Sequence, residues 1–179
     1  MDMTSQVSQL PKRRVLILCT ANSARSQMAE GVLRWLAGDA YDVFSAGSRA
    51  TTVNPFAVQA MREIGVDIGA QFSKTYERYL GQPFDAVITV CDNAADNCPF
   101  LPGQYTRIHW SFPDPAAVDG DTEKLQAFRD VRDGLIARFK GHLYSGQTLN
   151  APKPAPDIYL HAARVLGQPP STCVVIEDS

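Results

Sequence analysis

A cysteine at position 19 and an arginine at position 25 are separated by five small or polar residues, Thr20, Ala21, Asn22, Ser23 and Ala24, and Ser26 follows. A loop this short can wrap its backbone N–H groups around a tetrahedral oxyanion, and a helix beginning after it adds partial positive charge. The same field favours a thiolate: a cysteine so placed can fall to roughly 3.5 to 7.5 and act as a nucleophile at neutral pH. Arg25 can grip two oxygens of the anion in a fork, which a lysine cannot copy. Ser26 is placed to donate to the sulfur, and Asn22 to hold the shape of the loop. The competing reading is a buried cysteine at a strand end with a surface arginine nearby.

Two further groups could join such a site. Asp114 precedes Pro115 in a turn-rich stretch, where an aspartate often does no more than cap a turn. Asp119 and Asp121 read as solvated turn and helix-start carboxylates. Cys91 and Cys98 bracket Asp92, Asn93, Ala94, Ala95, Asp96 and Asn97, and as residues alone they could be inert, catalytic or metal-binding. Zinc would need about four ligands, and His109 and His142 show no recognisable spacing to them, so no metal is expected. Cys173 reads as a small buried hydrophobe.

These groups need elements to hold them. Val15 to Leu18 is a short apolar run of the buried parallel-strand kind, and from Ser26 onward Met28, Val32, Leu33 and Leu36 share one helical face. Tyr41 to Ser45 alternates as a strand and stops at Gly47. Asn54 and Pro55 then start a helix through Ala57, Ala60, Met61 and Ile64, closed by Gly65. Phe84 to Val90 and Tyr105 to Trp110 are further strands, and Thr122 caps a last helix carrying Leu125, Phe128, Val131, Leu135 and Phe139. Strands alternating with helices give the α/β class, a doubly wound parallel sheet. Ligands in such sheets bind beyond the carboxyl ends of the strands, where Cys19, Cys91 and the Asp114 loop would all lie.

At 179 residues the chain suits one domain with an appendage, and 45% hydrophobic with 20% charged residues is a globular composition. No apolar run approaches a membrane span, and the polar first thirteen residues, with Lys12 and Arg13, lack a signal-peptide pattern. A cytoplasmic location is expected, with no membrane partner. A formal charge of −2 offers nucleic acid no general attraction. In a reducing compartment the four cysteines point to catalysis or metal binding rather than a disulfide framework.

From Val15 to Gly31, and most clearly through Gln27, Met28, Ala29, Glu30 and Gly31, the chain resembles the arsenate reductase branch of the low-molecular-weight tyrosine phosphatase family. The resemblance extends over about residues 14 to 139 and takes in Ser45, Ala46, Gly47 and the Asp114, Pro115 pair. It implies that Cys19 is the nucleophile, that residues 20 to 26 and Arg25 bind the oxyanion, and that Asp114 is a general acid. The Cys91 and Cys98 segment resembles the redox segment of thioredoxin-coupled reductases, which implies arsenate as substrate, thioredoxin as electron donor and no bound cofactor. Ala24 stands where some relatives have a further cysteine. The rival readings are a phosphotyrosine phosphatase, which needs no extra thiols, and a noncatalytic oxyanion-binding or thiol-sensing module. Ala116 and Ala117, where phosphatases of the family place aromatic residues, argue for a small inorganic anion. A small thiol such as glutathione is the alternative reductant.

The domain reading is a flexible tail over 1–13, the catalytic domain over 14–140, and a linker with an appended fragment over 141–179. Lys153 to Asp157 and Val174 to Ser179 resemble the third and fourth motifs of haloacid dehalogenase superfamily phosphatases. With no nucleophilic aspartate strand before them, no second phosphatase activity is expected.

Overall fold

A computed structural model of the chain describes residues 11–92, 101 and 103–145. Its elements run β1 (Arg13–Cys19), α1 (Arg25–Ala37), β2 (Tyr41–Gly47), α2 (Pro55–Arg62), β3 (Ala86–Thr89), β4 (Thr106–His109) and α3 (Asp121–Ser145), with 3-10 turns at Tyr76–Tyr79 and Pro115–Ala117. The four strands form one sheet in the order β2-β1-β3-β4, parallel at every pairing.

The apolar run in β1 lies at the centre of the sheet because both of its faces are covered. Val15 and Ile17 meet Met28, Val32 and Leu33 of α1, Ala57, Ala60 and Met61 of α2, and Phe128, Val131, Leu135 and Phe139 of α3 in one apolar cluster. Leu16 and Leu18 point the other way, into a cluster with Ala46, Tyr79, Phe84, Val87 and Leu101. α3 packs against both α1 and α2, and Phe56 stacks on Phe128 at 6.0 Å between ring centroids.

The elements match the sequence reading with small shifts at their ends. α1 begins at Arg25, one residue ahead of Ser26. Asn54 caps α2, its side-chain oxygen accepting from the Phe56 N–H at 2.9 Å. Gly65 follows α2 with φ at +78°, the left-handed region that glycine enters without a Cβ clash. Thr122 is not the cap of α3. That helix starts at Asp121, after Gly120 turns the chain with φ at +79°, and the Lys124 N–H already bonds the Gly120 carbonyl at 2.8 Å. α3 also runs through Gly141 to Ser145, beyond the 140/141 division suggested by composition. Cys98, Cys173 and the dehalogenase-like motifs lie outside the described residues.

Parallel pairing puts all four carboxyl ends on one edge. Cys19 is beside Gly47, Leu18 beside Thr89, and Thr89 beside His109. The site is built on this edge.

Candidate active site

The loop from Cys19 to Arg25 joins the last residue of β1 to the first of α1, and its carbonyls are turned outward. The Thr20 carbonyl accepts from the Arg49 N–H at 3.0 Å and from the Ser48 hydroxyl at 3.2 Å. That of Ala21 accepts from Thr51 at 3.2 Å and Ser73 at 3.0 Å. The Asn22 carbonyl takes the Gln27 amide at 3.0 Å, and that of Ser23 the Asn54 N–H at 2.8 Å. In a planar trans peptide the N–H points opposite to the carbonyl. Anchoring the carbonyls on surrounding chain therefore aims the following N–H groups into the ring of the loop.

Asn22 is the centre of this construction. Its φ is +46°, a left-handed conformation that asparagine tolerates better than most residues. Its side-chain oxygen accepts from the Lys74 N–H at 2.7 Å and from Gln27 at 2.9 Å. Its side-chain nitrogen contacts Ser26 Oγ and Ser45 Oγ, both at 2.9 Å. Since Ser26 Oγ accepts from Asn22, its own hydrogen is free for Cys19 Sγ, 2.8 Å away. The Asn22 N–H donates to the same sulfur at 3.1 Å. Both roles expected for Ser26 and Asn22 are thus present as contacts.

Beneath the loop lies a buried charged group that the sequence reading did not assign. Ser45 Oγ donates to Glu30 Oε2, and Glu30 also meets Arg34 Nη1 at 2.7 Å and Lys74 Nζ at 3.4 Å. Glu30 and Lys74 are 2% and 8% exposed, so each needs the other. Burial pushes the Lys74 ammonium down from its usual range, and Glu30 pulls it back up. A signal did exist: Glu30 follows Ser26 by one helical turn, on the inward side of α1.

The Cys19 thiol differs from expectation. It lies above its ordinary value of 9.0 because burial disfavours the charged form and Cys91 opposes a second negative charge, outweighing the hydrogen bonds from Ser26 and Asn22. Burial thus works against the thiolate that the sequence suggested, while the Ser26 and Asn22 hydrogen bonds work for it.

Arg25 donates to the Phe112 carbonyl at 2.9 Å and stands 3.6 Å from Asp114 Oδ1, which brings the expected acid to the expected cation. Asp114 also caps the turn Pro115–Ala117, accepting from the Ala116 N–H at 3.3 Å, so the turn reading holds as well. Cys91 is buried, with Sγ 3.6 Å from Thr20 Oγ1, and both Cys19 and Cys91 are free thiols. Asp119 and Asp121 are exposed. Among the described residues, no three of His, Cys, Asp and Glu converge where a metal could sit, and no helix is long and apolar enough to cross a membrane.

A cysteine at a strand end, a loop of inward N–H groups, an arginine opening the next helix and an aspartate on a neighbouring loop define a cysteine-dependent oxyanion site on a parallel sheet. The family model for low molecular weight phosphotyrosine protein phosphatase matches residues 14–153, and the chain belongs to that family. It is 49% identical to an arsenate reductase of Halalkalibacterium halodurans over 137 residues, 76% of this chain and 99% of that one. Among solved structures it resembles an arsenate reductase in the oxidized state, with a TM-score of 0.63 and 32% identity over 72% of this chain and 95% of that one. It also resembles a thioredoxin-dependent arsenate reductase of Corynebacterium glutamicum, with a TM-score of 0.54 and 28% identity over 75% of this chain and 64% of the other.

Proposed function

We propose that the chain reduces arsenate to arsenite, with Cys19 as nucleophile and Cys91 and Cys98 as an internal dithiol relay recharged by thioredoxin. The observation that carries this reading is the second free thiol, Cys91, buried against the loop at Thr20. A phosphatase has no use for it. The names of its relatives and the thioredoxin dependence of the Corynebacterium protein support the same reading.

Arsenate enters the ring of N–H groups with Arg25 across two of its oxygens. Cys19 sulfur bonds to arsenic, and an arsenic-bound hydroxyl leaves as water. The proton that the Cys19 sulfur sheds is the one that the departing hydroxyl needs. Asp114, beside Arg25, hands it across. Cys91 thiolate then attacks Cys19 Sγ. The sulfur–arsenic bond breaks, its electron pair stays on arsenic, arsenic(V) becomes arsenic(III), and arsenite departs from a Cys19–Cys91 disulfide. Cys98 attacks Cys91, releasing Cys19, and thioredoxin supplies two electrons and two protons to the Cys91–Cys98 disulfide.

The test is arsenate-dependent NADPH oxidation with thioredoxin and thioredoxin reductase, comparing the native chain with Cys91→Ser. The expected result is turnover abolished by the substitution. No turnover with arsenate, together with phosphotyrosine hydrolysis that survives the substitution, would transfer the chain to the phosphatase reading. Replacing thioredoxin with glutathione tests the reductant.

A further inference from the structure

Cys91 lies past the end of β3, where the sheet no longer holds the chain: the last ladder bonds here are Val90 N–H to the Leu18 carbonyl at 3.0 Å and Trp110 N–H to the Thr89 carbonyl at 2.9 Å. A side-chain brace crosses this gap. Thr89 Oγ1, in β3, is 2.8 Å from His109 Nδ1 at the end of β4, and His109 Nε2 is 3.2 Å from the carboxylate of Asp92, the residue after Cys91. Asp92 is held below the usual carboxylate range by hydrogen bonds from Ser111 and His109 and by the nearby charges of His109 and Arg25. We infer that His109 is a positioning residue for the second thiol: oriented by Thr89, it holds Asp92 and so fixes where Cys91 sits relative to Cys19.

The hydrogen bonds are consistent in direction. When the Thr89 hydroxyl donates to Nδ1 at 2.8 Å in preference to the Ile108 carbonyl at 3.5 Å, the imidazole proton is on Nε2 and points at an acceptor-only carboxylate. Attack of one sulfur on another requires near-contact distance and alignment, and small displacements reduce its rate steeply. His109 has no hydrogen bond to the oxyanion loop or to Arg25, and its partners Thr89 and Asp92 flank Cys91 on the chain. Its effect is thus expected in the step that forms the Cys19–Cys91 disulfide and leaves oxyanion capture alone. The inference rests on the relay reading above.

The test uses the full chain in a single turnover without external reductant, following arsenite release by rapid quench. Oxyanion capture is measured separately, as protection of Cys19 from iodoacetamide by inorganic phosphate. His109→Ala is expected to slow arsenite release by about five-fold, the typical net worth of one hydrogen bond, with phosphate protection unchanged. His109→Gln, which returns a donor at the Nε2 position, restores most of the rate. Asp92→Ala reproduces the loss, and the double variant adds little to it. Unchanged release in His109→Ala, or equal losses in release and phosphate protection, would overturn the inference, the second because it marks a general structural role. Arsenite release that survives Cys91→Ser would instead remove the relay reading on which it stands.

Discussion

Gly47 ends β2 directly behind the oxyanion loop, and a single methyl group there should disable the site. A Cβ at this position would lie 2.6 Å from the Thr20 carbonyl oxygen, 2.7 Å from that of Arg49 and 2.8 Å from the Asn22 nitrogen, where ordinary contact begins at 3.4 Å. All three are backbone atoms, and the Arg49 N–H to Thr20 carbonyl bond at 3.0 Å holds the Arg49 and Thr20 backbones together. No rotamer change can relieve the clash, so the loop must retreat by about 0.6 to 0.8 Å, the shortfall from 3.4 Å. Overpacking of this kind costs about 1 to 3 kcal/mol, or roughly 3 to 9 °C in Tm for a domain of this size. The larger effect is on rate. The Asn22 N–H that must move is the one on Cys19 Sγ, and a displacement near 1 Å at a reacting centre costs about 10²-fold. Gly47→Ala is therefore expected to lose about 10- to 100-fold in single-turnover arsenite release at a temperature where it is folded. Gly31→Ala is the control: its Cβ would meet Ile68 Cγ2 at 2.5 Å, a buried core side chain and not loop backbone. It should lose comparable stability with its rate largely kept. A Gly47→Ala protein with native rate, or a Gly31→Ala protein equally inactive while folded, would refute the steric argument.

Glu30→Gln leaves Lys74 buried without its counter-charge, and urea unfolding should show a loss of about 3 kcal/mol, the low end for breaking a buried pair. Alkylation of Cys19 by iodoacetamide, read by mass spectrometry of its peptide, should rise with a midpoint above the ordinary thiol value of 9.0. Ser26→Ala should move that midpoint higher still, since the Ser26 bond is a lowering influence. Glu63, held below its ordinary 4.5 chiefly by its hydrogen bond from Arg129, joins the end of α2 to α3 through Arg129 and Arg132. Its contribution to stability is present above pH 4.5 and is lost as pH falls through the depressed folded value. Glu63→Gln should flatten that part of an acid-unfolding curve. Ending the chain after Ala151 should leave arsenate turnover intact, whereas a loss of activity would make the C-terminal segment part of the functional domain.

The parts legible in the sequence are those whose cause is local. β1 is announced by four consecutive apolar residues, Val15 to Leu18, because a central parallel strand is covered on both faces. α2 is announced by Asn54 and Pro55, whose side-chain acceptor and fixed φ suit a helix start at that point. The Cys19 to Arg25 spacing is likewise local, since the loop need only close on itself. The Glu30 and Lys74 pair was not legible: its members are 44 residues apart, and isolated charged residues are normally solvated. Thr122 was misplaced because serine and threonine cap helices by preference, while here Gly120 had already set the turn two residues earlier. The thiol pKa failed for a related reason. Loop and helix effects can be read from spacing, but burial is set by the tertiary fold, and here it outweighs them.

That burial and the charges under the loop belong together. Glu30 and Lys74 form a buried pair of opposite charges beneath Asn22, and half-exposed Arg34 adds a solvent-screened positive charge at its edge. A thiolate resting permanently on the loop would be stabilised by that field, but it would also repel the incoming oxyanion. Burial, which pushes the Cys19 thiol up, and the cations below, which favour an anion, act on the loop in opposite directions. The chain through Ser45, Asn22 and Ser26 then links the buried carboxylate to the sulfur by hydrogen bonds alone. Loop shape, the orientation of the Ser26 hydroxyl and the charge offered to the anion are consequently coupled. A substitution anywhere along that chain should alter thiol reactivity and oxyanion affinity together, whereas one at His109 should alter neither.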